Sequence, residues 1–391
     1  MRPPPVPVRR AIIDPLWLPL AFALALLALV AALASLVTIP FGQRRRRPLR
    51  VALFAALYLS VDALLVVCCA ALWLRHPMTR RRDEMRWSRA HQRLLAVALS
   101  VLVAAARPLF GFQVQVQEPP DRERIAGRPL LVIARHGGPG DSFALTEMLM
   151  SRYNRRPSIV LKESLRWDPG LDVLLGRLPT CFVQPNGRAA AQERIAELAR
   201  CMRSDDAILL FPEGRNWTPR RYLGAIARLH RTGRGEAAAE AADNRNVLPP
   251  QPAGLLACLR WRPDLAVAVV AHTGLEDLVS PADVWRALPV SGSPMMVRWW
   301  QETARRLPRS DEGRREWLRL QWAIVDSWID ARKAARQRAS QPESAPHAPA
   351  PAEPVAEAPG DTPAGALPAA GEPADERNDE AKPLTGSAAE P

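Results

Sequence analysis

The chain has 391 residues, enough for one large domain with additional segments, and its net charge of +13 favours anionic partners. Its five cysteines form no Cys-x-x-Cys pair, which argues against structural zinc and a disulfide framework and fits a reducing compartment. No zinc-finger or RNA-binding signature accompanies the positive charge, so no nucleic acid is expected as a partner.

Two apolar stretches come first. Residues Leu16 to Ile39 contain no charge, and residues Val51 to Leu74 contain one, Asp62. Each is 24 residues long. At about 1.5 Å per residue, either could cross a hydrocarbon core of about 30 Å. The first is too long for a signal-peptide core, lacks a clean cleavage site and is soon followed by the second, so residues 1–82 are expected to be membrane segments. Arg2, Arg9, Arg10, Arg75 and Arg80 to Arg82 flank the pair on one side, against Arg44 to Arg47 and Arg50 in the short loop. That balance gives a modest preference for a cytoplasmic main domain. The arginine-rich loop argues against a clean hairpin, and segments lying in the interface or re-entering are the alternative. Asp62 reads either as an ion relay or as a protonated or helix-paired residue; a single acid without a visible partner argues against a transporter.

Residues 83–338 are expected to form the main domain. Asp83 to Arg107 predicts an amphipathic helix, apolar through Trp87, Leu94, Leu95, Val97, Ala98, Val101 and Leu102, lying on a bilayer or packed in a core. Strands and helices then alternate. Strands are predicted at 112–117, 130–134, 158–161, 181–184, 207–211, 265–271 and 295–300. Helices are predicted at 142–153 (with Asp141 or Ser142 as N-cap), 188–202 and 311–338, and a helical or irregular stretch at 166–177. This order predicts an α/β fold, a mostly parallel sheet flanked by helices. Residues 339–391 hold eleven prolines, ten acids and two bases, and are expected to be disordered. The other 338 residues therefore carry a net charge of +21, which suits an anionic lipid surface.

Two constellations carry chemistry. Arg135-His136-Gly137-Gly138-Pro139-Gly140-Asp141 follows the strand at 130–134, and Phe211-Pro212-Glu213-Gly214 follows the strand at 207–211. His136 is a candidate base, and Asp141 can hold its other ring nitrogen. The glycines allow a tight turn and close approach of a substrate. A hydroxyl on the substrate could then attack an acyl group with no protein nucleophile. Ser142 lacks the Gly-x-Ser-x-Gly elbow of a hydrolase. His272 and Asp277 repeat the same offset without the glycine-rich turn, so spacing alone does not select the base. Glu213 is expected to bind acceptor hydroxyls or organise its loop, and to stay ionised beside cationic neighbours.

The ordered set resembles the membrane-bound glycerolipid acyltransferases of the 1-acylglycerol-3-phosphate acyltransferase type, over roughly Trp87 to Trp328. His136 and Asp141 match the His-x4-Asp motif, Lys162-Glu163-Ser164-Leu165 a Lys-Glu-Leu segment, and Gly176 to Gln184 the second motif. Phe211 to Gly214 matches the third without change, and Val247-Leu248-Pro249-Pro250 a proline-bearing segment before a strand. The resemblance implies a catalytic His136–Asp141 pair and a substrate site with Glu213, Gly214, Arg215, Arg188 and Lys162. It implies acyl-CoA or acyl carrier protein as donor, a lysophospholipid acceptor, no metal and no cofactor, and a bacterial-type inner membrane. Gln184-Pro185 stands where the family often has Asp-Arg, and Arg215-Asn216 where it has Thr-Arg. The shifted arginines leave other lysolipids or a glycolipid as acceptors, and a catalytically inactive lipid-binding scaffold as the non-enzymatic reading.

Overall fold

The computed structural model describes residues 3–42, 45–75, 84–118, 122–138, 140–184, 187–278, 280–290 and 294–340. The tail from residue 341 on, and Arg2, Arg44 and Arg80 to Arg82, whose charges entered the orientation argument, lie outside the described residues. The last helix runs to Ser340, two residues past the expected start of the tail.

Five neighbouring parallel strands build the centre of the sheet. They are β2 (Leu130–Ala134), β3 (Arg156–Lys162), β4 (Cys181–Val183), β5 (Asp206–Leu210) and β6 (Ala266–Thr273). With β1 (Val114–Glu118) and β7 (Met295–Glu302) the order is β1-β7-β6-β2-β5-β3-β4. Only β6–β7 is antiparallel, so β1 and β7 run against the other five. Consequently β6, β2 and β5 end side by side on one edge, where an open α/β sheet places its ligands.

The central strands are buried on both faces, which is why they read as continuous apolar runs. Leu131, Ile133, Ile208, Val267 and Val269 face one layer. It contains α6 (Arg188–Arg200), α9 (Ala253–Trp261) and α11 (Asp311–Ser340), the last through Leu318, Trp322 and Val325. Leu130, Val132, Leu209, Ala268 and Val270 face α4 (Asp141–Ser151) through Leu145, Met148 and Leu149. The period-two switch along each strand divides one apolar run between two cores.

The N-terminal helices are α1 (Asp14–Ala34), α2 (Arg47–Arg75) and α3 (Glu84–Phe110). A turn at Val6–Val8 and a π-helical stretch at Arg9–Ile13 lead into α1. By length and composition alone, all three are long and apolar enough to cross a membrane. However, α2 touches the α/β domain along its length. Arg47 donates to the carbonyl of Leu288 at 2.8 Å near one end, Tyr58 donates to Asp168 in the middle, and the Cys69 carbonyl accepts from Arg177 near the other end. Asp62 also has partners: it accepts from the Trp17 indole and from the N–H of Gly170 in α5 (Pro169–Leu175). A side chain at Gly170 would collide with this carboxylate, its Cβ falling 2.0 Å from Asp62 Oδ1. Beside it, the buried Asp172 takes the Arg9 Nε–H at 2.8 Å and pairs its charge with Arg10 at 2.9 Å. The helix-paired reading of Asp62 is therefore the one the fold supports.

On α3, Leu95, Ala98 and Leu99 pack against Leu65, Val66 and Cys69 of α2 and Val173 and Leu174 of α5, while Val97 and Val101 stay exposed. The packed reading of that helix holds for the face that carries Leu95, Ala98 and Leu99. Along α1 the outer face is a continuous apolar surface including Leu16, Phe22, Leu27 and Leu33. Apolar patches this large on a chain surface mark contact with a membrane or a protein.

Candidate active site

The register of β2 against β6 pairs Ala134 with Val270, so the chain leaves these two strands with His136 and His272 at one level. His136 Nδ1 lies 2.9 Å from Asp141 Oδ2, across the glycine turn that leads into α4. A carboxylate accepts, so Nδ1 carries the hydrogen and Nε2 is left as a base. The carboxylate is also held by the backbone N–H of Ser142 at 2.6 Å, the Ser142 hydroxyl at 3.1 Å and the N–H of Gly138 at 3.3 Å. Burial pushes the Asp141 carboxyl up. The hydrogen bond from His136, the fields of His272 and His136 and the Gly138 N–H outweigh it, so the group stays below the usual carboxylate range. The cap of α4 is Gly140, with φ +89°, and Asp141 is the first helical residue, where a negative charge meets the positive end of the helix. The histidine side chain is 15% exposed and its aspartate 1%, an open base on a closed support. Phe211 covers one side of the imidazole, with ring centroids 4.5 Å apart.

A second layer fixes the backbone of the pair. Arg135 is fully buried, and its guanidinium donates to Glu276 at 3.0 Å, to the His272 carbonyl at 3.0 Å and to the Asn246 carbonyl at 2.8 and 3.1 Å. Burial pushes Glu276 up, but Arg135, Thr273 and the N–H of Gly274 hold it at about 2. A side chain at Gly137 would strike this guanidinium, its Cβ lying 2.4 Å from Nη1. His272 is wholly buried. Its Nε2 lies 2.7 Å from the Arg135 carbonyl and 3.6 Å from Asp141 Oδ2. Since a carbonyl only accepts, Nε2 carries the hydrogen, and the buried Nδ1 is bare, with no hydrogen-bond partner among the described residues. Burial lowers its pKa, and the ring stays neutral. His272 is thus no second base. It is a support beneath Asp141 that the sequence offered only as a repeat of the spacing; its place at the end of the adjacent parallel strand was the signal that could have found it.

Glu213 departs from expectation. It is buried, its oxygens accept from the N–H of His136 at 3.3 Å and of Leu248 at 3.2 Å, and it ties the two loops together. Burial pushes its carboxyl up to about 8, against Arg135 and the two N–H groups, so it is not held ionised as the sequence suggested. The cationic neighbours assumed for it, Arg215, Arg220 and Arg221, lie outside on exposed surface. Of the remaining candidates, Gly214 (φ +68°) and Arg215 are exposed just beyond Glu213, Lys162 is exposed at the end of β3, and Arg188 opens α6. Gln184, in the second motif, donates to Glu163 at 3.2 Å. The segment Val247 to Pro250 precedes helix α9 and only then strand β6, so it does not lead directly into a strand as expected. Among the described residues, no group of three or more His, Cys, Asp or Glu is placed to hold a metal ion.

Residues 113–252 match the family model described as Acyltransferase. That stretch is similar to an acyltransferase domain. The matched stretch contains His136, Asp141 and Phe211 to Gly214, so the acyltransferase resemblance read from the ordered motifs is borne out. Among solved structures, the chain is similar to the crystal structure of the 1-acyl-sn-glycerophosphate (LPA) acyltransferase PlsC from Thermotoga maritima. The identity is 15% and the TM-score 0.46, over 73% of this chain and 98% of that one. No curated protein matches the chain.

Proposed function

We propose that the acyltransferase domain moves a fatty acyl group from a thioester donor to the hydroxyl of a lysophospholipid at a membrane surface. The observation that carries this reading is the 2.9 Å bond from His136 Nδ1 to the buried Asp141, which leaves Nε2 as the basic nitrogen of a partly exposed ring. Nε2 takes the hydroxyl proton as the oxygen attacks the thioester carbonyl. The tetrahedral intermediate collapses, the C–S bond breaks, and the imidazolium returns the proton to the leaving thiolate. Asp141 stabilises the imidazolium between these steps without taking its proton.

The apolar outer face of α1 supports a membrane location for the acceptor. The contacts of α2 along the domain favour helices that lie in the interface beside it over a pair that crosses and returns. The arginines near those helices support a location on the cytoplasmic face of a bacterial inner membrane. The test is a transfer assay with purified full-length protein, labelled acyl-CoA and acyl carrier protein donors, and a panel of lysophospholipids that includes 1-acylglycerol 3-phosphate, with products identified by mass. Transfer to a lysophospholipid supports the proposal. Transfer only to a glycolipid, or lipid binding with no transfer from either donor, overturns it.

A further inference from the structure

The stretch after the third motif folds as α7 (Pro219–Arg231) and α8 (Gly235–Asp243). Together with residues 247–252 and Trp322 of α11, these helices line an open cleft of about 960 Å³ that begins at Glu213. That volume lies in the range of small-molecule and cofactor sites, about 300–1,000 Å³. Four arginines on its wall, Arg215, Arg220, Arg228 and Arg234, have guanidinium groups with no hydrogen bond or ion pair among the described residues. Arg221 bonds only the Asn216 carbonyl, at 3.0 Å. The acids on the wall offset little of this charge. Glu240 pairs with Arg319 at 3.4 Å, and Glu213 faces inward to the N–H groups of His136 and Leu248. Part of the floor is apolar, with Leu248, Pro249 and Pro250.

Unpaired guanidinium groups around one concavity repel each other until an anion enters, and each offers a planar fork to a phosphate. One phosphate engages one or two such forks, and this wall has four free ones. The volume also exceeds what a single phosphate fills. A convex acidic protein surface would meet the rim without using the interior, and a flat bilayer would meet the exposed rim without reaching into the cleft. We infer that this cleft binds the polyphosphorylated nucleotide end of a coenzyme A thioester, the acyl donor of the His136–Asp141 site. The identity of the donor rests on the acyl-transfer reading above; the binding of the nucleotide does not.

The test titrates full-length detergent-solubilised protein with CoA, 3′-dephospho-CoA, glycerol 3-phosphate and vesicles rich in phosphatidylglycerol. The same titrations use R228A/R234A and its conservative counterpart R228K/R234K. CoA is expected to bind saturably, more tightly than 3′-dephospho-CoA, and at least tenfold more weakly to the alanine pair, with the lysine pair between. H136A is expected to bind CoA like the wild type, so loss of transfer in H136A with CoA binding intact separates the two proposals. Equal CoA binding by wild type and R228A/R234A overturns the inference. So does binding of only glycerol 3-phosphate or only vesicles, or transfer from acyl carrier protein by a chain that does not bind CoA.

Discussion

Replacing Glu213 by glutamine reads directly on the chemistry of the loop that joins the two motifs. In the folded protein, burial holds this carboxyl at about 8, against an ordinary 4.5. Between those values the native state keeps a proton that the unfolded chain releases, so the group's contribution to stability falls as pH rises and levels off above about 8. Linkage gives about 1.4 kcal/mol per pH unit in the middle of that window, or about 2.5 kcal/mol between about pH 5 and pH 7. Glutamine has no proton to exchange and loses this slope. It also sets an NH2 group against one of the two backbone N–H donors, at a cost of about 1–3 kcal/mol that does not vary with pH. Urea unfolding followed by tryptophan fluorescence from pH 5 to pH 8 measures both. Relative to wild type, E213Q should gain about 2.5 kcal/mol from pH 5 to pH 7 around a constant offset. A difference between the two proteins that stays flat with pH would show Glu213 ionised in the fold and refute the reasoning.

Other expectations follow from the same contacts. D141N keeps the shape of the support but loses its charge, and should lower kcat by about 10³–10⁴-fold, as the aspartate of a serine-protease triad does; turning an NH2 group toward the N–H donors of Gly138 or Ser142 should also cost about 1–3 kcal/mol of stability, and a change under tenfold in steady-state transfer would remove Asp141 from the mechanism. At His272, glutamine can still donate to the Arg135 carbonyl and phenylalanine cannot. H272F should therefore reduce kcat by roughly tenfold or more at unchanged KM, which corresponds to about 1.4 kcal/mol, and H272Q should recover most of it; equal kcat values in the two variants would deny the positioning role. D172A strands the buried Arg9 beneath the N-terminal helices, while Arg10 keeps its pair with Asp14 at 3.0 Å, and differential scanning fluorimetry should show a loss of about 3–5 kcal/mol. An unchanged transition would mean that the arginine–aspartate cluster does not fasten those helices.

The central strands were legible because a two-faced parallel strand needs a continuous apolar run, and Leu130 to Ala134 is one, end to end. The His136–Asp141 turn was legible for a local reason: five residues and three glycines suffice to close it. The helices α7, α8 and α9 were not foreseen. In α7 the apolar stripe Tyr222, Ile226 and Leu229 was there to be read but lies among four arginines and buries only Leu229, and alanine-rich α8 buries only Ala238 and Ala241. Buried polar groups were the least visible. Arg135 finds partners at Asn246, His272 and Glu276, more than a hundred residues away, and only the β2–β6 pairing brings them together. Glu213 misled because its sequence neighbours are cationic, whereas the strand end turns its carboxyl inward and leaves Arg215 outside.

The central claim is that His136, supported by Asp141, is the base for acyl transfer to a lysophospholipid. Single-turnover transfer by wild-type and H136A protein at matched CoA occupancy, with mass identification of the lipid product, tests it most directly. Rapid appearance of the diacyl product with wild type and none with H136A, at equal thermal stability, is the expected result. Product formed by H136A at the wild-type rate would contradict it.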